Sequence, residues 1–239
     1  MKVNKSSREQ KGAIIGTLLG DSWISNRGEF GCQHVTKDLI DLKATIISNI
    51  SPEIRIYFST RKPRTSIKKN MSKIQSKTSY VLQTNKHPYF KKLRNILYID
   101  NQKQISMKVL NKLTPFGIAL WFMDDGYLDY KKSSNTRNLR LCTDNFDITS
   151  HKNMIRYFND VWGIQAKIYY HKSRKNEEKK PRLSFNAHNS QKLIVLIHKY
   201  FLPSFLYKLD LKYSDKTLNS IRCSQEYKEA HKYILQHIT

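Results

Sequence analysis

The sequence predicts an α+β fold made of two pseudo-symmetric αββαββα halves, each with a twisted, antiparallel, four-stranded sheet. Two observations carry this prediction. Apolar segments end at Asp21 and at Asp125, 104 residues apart (125 − 21), and the same order of predicted elements follows each of them. Such self-similarity at a fixed spacing is typical of an internal duplication. We therefore expect the two apolar helices to pack together and to join the halves.

The first apolar helix is predicted from Arg8 to Asp21, and it carries a glycine at every fourth position. Gly12, Gly16 and Gly20 therefore lie along one stripe of the helix surface. Each glycine in a helix interior costs about 1 kcal/mol relative to alanine, so the stripe needs a compensating gain. Close approach of a second helix backbone supplies such a gain, and we predict that the stripe is a packing groove that receives bulk from the second helix.

After this helix the chain alternates between short strands and amphipathic helices. We predict strands at 22–25 and 30–36 around an Asn26-Arg27-Gly28 turn, a helix at 38–50, strands at 54–59 and 79–84, and a helix at 88–97. A strongly basic loop occupies residues 60–77 between the third and fourth strands. Residues 1–97 form the predicted N-terminal half, and residues 98–113 form a linker.

The second apolar helix begins after Thr114, a suitable N-cap, with Pro115 at its first position, and Gly126 ends it. It is apolar on almost every side, which predicts burial. Its last two residues are Asp124 and Asp125. A helix C-terminus carries partial negative charge, so two acids there are unfavourable unless a cation compensates.

The second half then repeats the order of the first. We predict strands at 126–130 and 139–143, a helix at 149–162, a strand at 165–171, a charged loop at 172–180, a strand at 182–186 and a helix at 190–201. Residues 114–213 form the predicted C-terminal half. Residues 214–239 have no counterpart in the first half, and we predict an additional helix at 216–238.

The charge narrows the class of partner. The chain has 43 Lys and Arg against 19 Asp and Glu, a formal net charge of +24, which favours a polyanion. Nucleic acid is a better match than an anionic membrane surface, because a long basic amphipathic helix is lacking. Apolar runs are too short to span a bilayer and no signal-peptide core follows Met1, which predicts a soluble protein and no membrane partner.

The cysteines indicate the compartment. Cys32, Cys142 and Cys223 are odd in number and widely spaced, and they form no zinc-binding pattern. This usage favours an intracellular, reducing compartment. The abundance of Lys, Asn, Ile and Tyr is typical of an AT-rich coding genome, and we interpret the protein as mitochondrial or otherwise organellar.

The two apolar helices resemble the LAGLIDADG motif of homing endonucleases. The matching segments are Ile14-Ile-Gly-Thr-Leu-Leu-Gly-Asp-Ser22 and Ile118-Ala-Leu-Trp-Phe-Met-Asp-Asp-Gly126, and the resemblance extends over residues 8 to about 210. The chain is similar to single-chain, two-motif, intron-encoded members of that family. Three positions depart from the motif: Ser22 replaces its final glycine, and in the second copy Leu120 and Asp124 stand where the first has Gly16 and Gly20.

The resemblance implies an enzyme that hydrolyses both strands of DNA across a minor groove. The motif acids fall on Asp21 and Asp125, and the resemblance places them close together at the end of the paired helices. With the backbone carbonyls of Gly20 and Asp124 they would bind Mg²⁺, for which Mn²⁺ substitutes. The side chain of Asp124 is expected to serve packing. The alternative is a buried acid pair that acts only in specificity.

Three further catalytic residues follow from the resemblance. Family members carry a lysine late in each half, and the matching positions are Lys103 and Lys208, which follow the motif acids by 82 (103 − 21) and 83 (208 − 125) residues. A cation there balances the charge of the phosphodiester transition state. Gln33 resembles a position that orders active-site water. Its counterpart in the second half is Thr143 or Asp144.

The resemblance also implies that the two sheets form a saddle on double-stranded DNA. Strand and loop residues predicted to contact DNA are Arg27, Lys37, Arg55, Arg61, Arg64, Arg137, Arg140, Lys167 and Arg182. Because the halves differ in sequence, we expect a long, asymmetric target and a monomeric protein. Two alternatives remain open: a maturase that binds its own intron RNA, and a DNA-binding protein that does not cut.

Overall fold

A computed structural model of the chain describes residues 7–60, 78–172, 179–214, 218 and 224–238. Up to residue 97 its elements are α1 (Arg8–Leu19), β1 (Ser22–Ile24), β2 (Phe30–His34), α2 (Lys37–Ser48), β3 (Ile54–Thr60), β4 (Thr78–Thr84) and α3 (Pro88–Leu97). The following elements are β5 (Tyr98–Ile99), β6 (Gln102–Lys103), α4 (Met107–Leu110), α5 (Pro115–Asp125), β7 (Gly126–Lys131), β8 (Thr136–Leu141), α6 (Ile148–Trp162), β9 (Lys167–Lys172), β10 (Lys179–Phe185), α7 (Ala187–Ile197) and α8 (Gln225–His237). The predicted α+β class is confirmed.

Two antiparallel four-stranded sheets share one topology. Their strand orders are β1-β2-β4-β3 and β7-β8-β10-β9. The chain divides into two compact units, of which one contains residues 21–95 and the other contains residues 7–20 and 96–239. Helix α1 therefore belongs to the same unit as α5, although it precedes the first sheet in the chain.

The sheet of residues 21–95 is built on one buried face. Phe30, Cys32 and Leu82 are fully buried, and Cys32 pairs with both Ser22 and Leu82 across the ladders. Since side chains alternate along a strand, the residues between these positions point to the opposite face. That face carries Trp23, whose ring lies so close to Gly31 that a Cβ there would be 2.6 Å from it.

The second sheet buries the corresponding positions. Leu139, Leu141, Leu183 and Phe185 are fully buried where α7 packs against β8 and β10 and α6 packs against β10. The alternate residues Tyr127, Arg140 and Arg182 lie on the other side, which we call the polar face of this sheet. In each sheet, the alternation of buried apolar residues along the strands therefore fixes the register.

Helices α1 and α5 approach each other along the predicted glycine stripe. A Cβ on Gly16 would lie 1.9 Å from the carbonyl oxygen of Gly117, and one on Gly12 would lie 2.7 Å from the side chain of Thr114. The predicted close backbone approach is confirmed, and so is the Thr114 cap, whose hydroxyl accepts from the Gly117 N–H at 3.3 Å. The groove does not receive bulk at Gly16, however, since backbone of Gly117 fills that position.

Several predicted boundaries shift for local reasons. Helix α7 begins at Ala187 rather than residue 190, because the Asn186 side chain caps it by accepting from the Asn189 N–H at 2.9 Å. The predicted linker holds a hairpin and α4. Helix α8 occupies Gln225–His237, a shorter segment than the predicted 216–238.

Parts of the predicted basic and charged loops, residues 61–77 and 173–178, lie outside the described residues. Cys223 lies outside them as well. Within the segments that the structure describes, helices are too short or too polar to cross a lipid bilayer.

Candidate active site

A lysine ammonium is bonded to the last turn of each motif helix. Lys103 Nζ donates to the carbonyl oxygens of Leu18 at 2.5 Å and Gly20 at 3.5 Å, at the end of α1. Lys208 Nζ donates to the carbonyl oxygens of Met123 at 2.6 Å and Asp124 at 3.4 Å, at the end of α5. Both lysines are half-buried. The two predicted lysines thus take the same kind of position at the two predicted motifs.

Local structure holds each lysine in place. Lys103 lies on β6, directly after a hairpin turn in which Asp100 and Asn101 have positive φ angles of 49° and 62°. Two such residues form the tight turn that suits a two-residue hairpin. Lys208 ends the 3₁₀ helix Pro203–Lys208, which is anchored by buried Phe205.

These contacts supply the cation that acids at a helix C-terminus require. The carbonyl groups of a last turn carry the negative end of the helix dipole, and a bound ammonium compensates for them. Asp21 follows Gly20 directly and is exposed, whereas Asp124 and Asp125 are half-buried. A Cβ on Gly20 would lie 2.3 Å from Asp124 Oδ2, which supports the packing role predicted for the Asp124 side chain.

Asp125 continues directly into the second sheet. Its carbonyl oxygen accepts from the Cys142 N–H at 3.0 Å. Burial raises the pKa of the Cys142 thiol, Arg182 lowers it, and Asp125 and Asp144 raise it further. The backbone bond therefore holds Cys142 beside the end of the second motif helix.

Strand register identifies the position equivalent to Gln33. Ser22 follows Asp21 and pairs with Cys32, while Gly126 follows Asp125 and pairs with Leu141. The residues that come next are Gln33 and Cys142, so Cys142 is the equivalent of Gln33. The prediction of Thr143 or Asp144 was wrong by one or two positions.

The two residues that were predicted instead have other contacts. The Thr143 side chain is fully buried, with its hydroxyl 2.9 Å from His151 Nε2. Asp144 forms an ion pair with Arg182. Gln33 itself is half-buried and donates to Ser79 Oγ at 2.5 Å.

Arg182 has a fixed guanidinium. Its Nε and Nη2 donate to the two carboxylate oxygens of Asp144 at 2.5 and 2.7 Å, and its Nη1 donates to the Tyr127 hydroxyl at 3.3 Å. The Asp144 carboxylate raises the pKa of Arg182, so this side chain remains charged. Sequence reasoning identified Arg182 but missed Asp144 and Tyr127 as its partners. The available signal was that Asp144, one residue beyond the predicted strand 139–143, continues the alternation of Arg140 and Cys142.

The predicted DNA-contact residues divide into exposed and enclosed groups. Arg27, Lys37, Arg55 and Lys167 are exposed, and Lys37 Nζ contacts Asp41 at 2.6 Å. Arg61 and Arg64 lie outside the described residues. These positions remain predictions.

The structure contradicts a DNA contact for Arg137. This residue is 7% exposed, shares a face with Leu139 and Leu141, and lies 4.8 Å from the ring centroids of both Tyr130 and Tyr213. It is a packing residue on the helix-covered side of the sheet.

Arg140 is also enclosed, although it lies on the polar face. It is 6% exposed, pairs with Asp129 at 2.6 Å and stacks 3.5 Å above the centroid of Tyr169. We therefore assign it to the support of Tyr169 rather than to contact with DNA.

Within the described segments, His, Cys, Asp and Glu side chains form no group of three that suits a metal ion. A divalent ion at the motifs would therefore depend on backbone carbonyls and substrate phosphate in addition to the two acids. Gly20 and Asp124 provide such carbonyls. A carbonyl oxygen has two lone pairs, so a long contact to a lysine leaves it able to hold a second ligand.

Two motif helices packed through glycines, each with a terminal acid and a bound lysine and each followed by a four-stranded sheet, define a two-motif nuclease scaffold. The sequence profile of the LAGLIDADG DNA endonuclease family matches residues 11–193. The chain belongs to this family.

Individual relatives agree with this assignment. Over 207 residues the chain is 25% identical to a Wickerhamomyces canadensis protein named Probable intron-encoded endonuclease 1, covering 85% of this chain and 84% of that protein. Over 222 residues it is 22% identical to Protein RecA of Mycolicibacterium flavescens, covering 86% of this chain. The chain spans about half, 47%, of that RecA protein.

A solved structure shares the fold. The homing endonuclease I-WcaI, bound to its DNA recognition sequence, matches with a TM-score of 0.72 and 23% sequence identity. The match covers 85% of this chain and 86% of that one. The predicted homing-endonuclease fold is thereby confirmed.

Proposed function

We propose that this protein is a site-specific endonuclease that hydrolyses both strands of a long, asymmetric DNA duplex with the help of a divalent metal ion. Membership of the LAGLIDADG DNA endonuclease family supports the reaction class. One observation carries the proposal: each motif helix leads to an acid and has a lysine ammonium bonded to its last-turn carbonyls. Both halves of the chain are thus equipped in the same way, as the cleavage of two strands requires.

Magnesium is the ion that we propose, with manganese as a substitute. The donors that the chain offers are the carboxylates of Asp21 and Asp125 and the carbonyls of Gly20 and Asp124. All are oxygen donors, which a hard cation such as Mg²⁺ prefers. When bound, the ion would lower the pKa of a water molecule and polarise a phosphoryl oxygen.

The lysines would act on the charge of the reacting phosphate. A phosphodiester gains negative charge on its non-bridging oxygens as a nucleophile attacks, and a fixed ammonium stabilises that charge. Lys103 and Lys208 are fixed by carbonyl contacts of 2.5 and 2.6 Å, so little reorganisation is needed during the reaction. Gln33 would orient water near the first motif, since its amide is already held by Ser79.

Double-stranded DNA is the proposed partner, and I-WcaI, which shares the fold, is bound to its DNA recognition sequence. The net charge of +24 supports strong attraction to phosphates. The two sheets carry different side chains at equivalent positions, such as Gln33 and Cys142, which supports an asymmetric target. We propose action as a monomer because one chain carries both motifs.

Two other functions fit the same scaffold. A maturase would bind intron RNA, and the name of the Wickerhamomyces canadensis relative describes it as intron-encoded. A DNA-binding protein without cleavage would keep the sheets and lose the acids. The presence of Asp21, Asp125 and both lysines favours the endonuclease.

The test is a cleavage selection on a randomised duplex library, together with the uninterrupted allele of the host gene. Purified protein is incubated with Mg²⁺ or with EDTA, and the cut ends are sequenced. We expect double-strand cuts at one family of asymmetric sites, in Mg²⁺ only. Sequence-specific binding without any metal-dependent cut would replace the proposal by the non-cleaving alternative. Stimulated splicing of intron RNA, without DNA cleavage, would replace it by the maturase.

A further inference from the structure

We propose that Arg182 reads a guanine in the part of the target bound by the β7–β10 sheet, and that Asp144 and Tyr127 are the residues that position it. This inference rests on the proposed binding of double-stranded DNA and names the base and the side chains responsible. It concerns recognition and does not depend on metal or on cleavage.

The first step is the orientation of Arg182. It neighbours Leu183, which is fully buried, so alternation along β10 directs Arg182 to the polar face. Its side chain is 16% exposed, whereas that of Arg140 on the same face is 7% exposed. Arg182 is therefore the enclosed arginine of this face that still has surface available for a ligand.

The second step is a count of its donors. A guanidinium has five N–H groups in a fixed plane. Among the described residues, Asp144 and Tyr127 use three of them: Nε–H, one on Nη2 and one on Nη1. One N–H on each terminal nitrogen remains for a ligand. With one N–H left on Nη1 and one on Nη2, the guanidinium can donate to two acceptors that lie side by side.

The third step is the chemistry of the ligand. Guanine presents N7 and O6, two acceptors side by side, in the major groove, and arginine pairs with both. A phosphate is a poorer match, because the Asp144 carboxylate lies within 2.7 Å of the guanidinium and repels an anion. An arginine that carries its own carboxylate is better suited to a neutral base edge than to the DNA backbone.

The fourth step is the place of the guanine in the target. Leu183 pairs with Leu141 in the antiparallel ladder of β8 and β10, so Arg182 lies across from Cys142. The Asp125 carbonyl also accepts from the Cys142 N–H at 3.0 Å. Arg182 therefore lies near the second motif, and the guanine is expected in the inner base pairs of the half-site that this sheet binds.

The experiment is a binding selection on duplexes randomised across the target, performed in EDTA so that cleavage plays no part. Wild-type protein is compared with two variants. Arg182→Lys keeps the positive charge but removes the planar guanidinium donors, and Asp144→Asn weakens the ion pair that holds the guanidinium in place. Lys192→Gln is the matched control, since Lys192 is exposed on α7 and contacts the Gly163 carbonyl at 3.1 Å. Thermal unfolding of each variant is measured in parallel.

We expect wild type to prefer guanine at one inner position on the side of the β7–β10 sheet, by roughly tenfold or more. Arg182→Lys should abolish that preference, Asp144→Asn should weaken it, and Lys192→Gln should retain it. A purely structural ion pair would instead lower the unfolding temperature of Arg182→Lys and leave its base preference as in wild type, which would overturn the inference.

The outcomes separate this inference from the endonuclease proposal. A guanine preference that survives Arg182→Lys overturns the inference and leaves the nuclease proposal intact. A preference lost in Arg182→Lys, without any cut by wild type in Mg²⁺, supports the inference and overturns the nuclease. The absence of sequence-specific binding by wild type overturns both.

Discussion

The two sheets have the same strand order and the same buried pattern, yet the faces opposite their cores differ in chemistry. In the first sheet this face carries Trp23, 40% exposed, and Tyr57, 47% exposed, beside Gln33. In the second sheet the equivalent face carries Arg182 and Arg140, each paired with an aspartate. Topology is determined by the buried positions, so the opposite face is free to diverge. Under the proposed function, this difference would let the two sheets recognise different DNA sequences.

The motif-helix ends show the opposite behaviour. Lys103 and Lys208 come from unlike elements, a β-hairpin and a 3₁₀ helix, yet each donates to the last-turn carbonyls of its motif helix. The local elements that carry the two lysines thus differ, while the contacts of the lysines with the helix ends are the same. This contrast is what the proposed function expects, with helix ends that serve one reaction and sheets that recognise different parts of the target.

The largest test of this contrast compares the two lysines. Lys103→Met and Lys208→Met should each lower the rate of double-strand cleavage by about a hundredfold, because each removes a fixed cation from a reacting phosphate. DNA binding, measured by fluorescence anisotropy, should change little. Lys108→Met is the control, because Lys108 is an exposed lysine of the same segment. This variant should cleave DNA at the wild-type rate. Cleavage at the wild-type rate by either Lys103→Met or Lys208→Met would show that the two lysines do not have equivalent catalytic roles.

A second test concerns the contact between the motif helices. Gly16→Ala should lower the free energy of unfolding by about 3 kcal/mol, since its Cβ would lie 1.9 Å from the Gly117 carbonyl oxygen and must force the backbones apart. Gly163→Ala is the matched change, because its φ is +61° and its Cβ would meet no atom within 4 Å. It should lose about 1 kcal/mol through backbone strain alone. Urea denaturation followed by circular dichroism measures both, and equal losses would contradict the close packing.

A third and smaller test separates two cations of one sheet. Wild-type affinity should fall with salt at a log–log slope near −9, which corresponds to on the order of ten phosphate contacts. Lys167→Gln should make the slope shallower by about 0.9, because Lys167 is exposed. Arg140→Gln removes the same charge, but Arg140 is 6% exposed and paired, so the slope should stay unchanged. Equal changes in slope would show that Arg140 contacts DNA after all.

Strong local patterns made much of the fold predictable. The glycine stripe of α1 and the Thr114-Pro115 start of α5 follow from rules that act within a few residues. The close helix approach and the cap were confirmed, whereas the bulk expected at Gly16 was not found. Lys103 and Lys208 came from the resemblance to the LAGLIDADG family, and their similar spacing from the two motif acids agreed with it. For the glycine stripe and the cap, the sequence contains the physical cause, namely helix periodicity and capping.

The errors arose where the answer depended on register. Strand β8 was predicted to begin at residue 139, but it begins at Thr136, and this places Arg137 on the helix-covered face. The counterpart of Gln33 was misassigned because the strands of the second hairpin are longer than those of the first, and only the pairing of Gly126 with Leu141 identifies Cys142. Cross-strand partners such as Asp144 for Arg182 are likewise set by tertiary contacts that single-sequence patterns do not contain.

The central claim is that each motif acid is required for cutting and neither for binding. The most direct measurement is double-strand cleavage in Mg²⁺ beside DNA affinity for Asp21→Asn and Asp125→Asn, using the target obtained from the cleavage selection. Both variants should bind with nearly wild-type affinity and produce no double-strand break. Full cleavage by either variant would contradict the assignment of Asp21 and Asp125 as the catalytic acids.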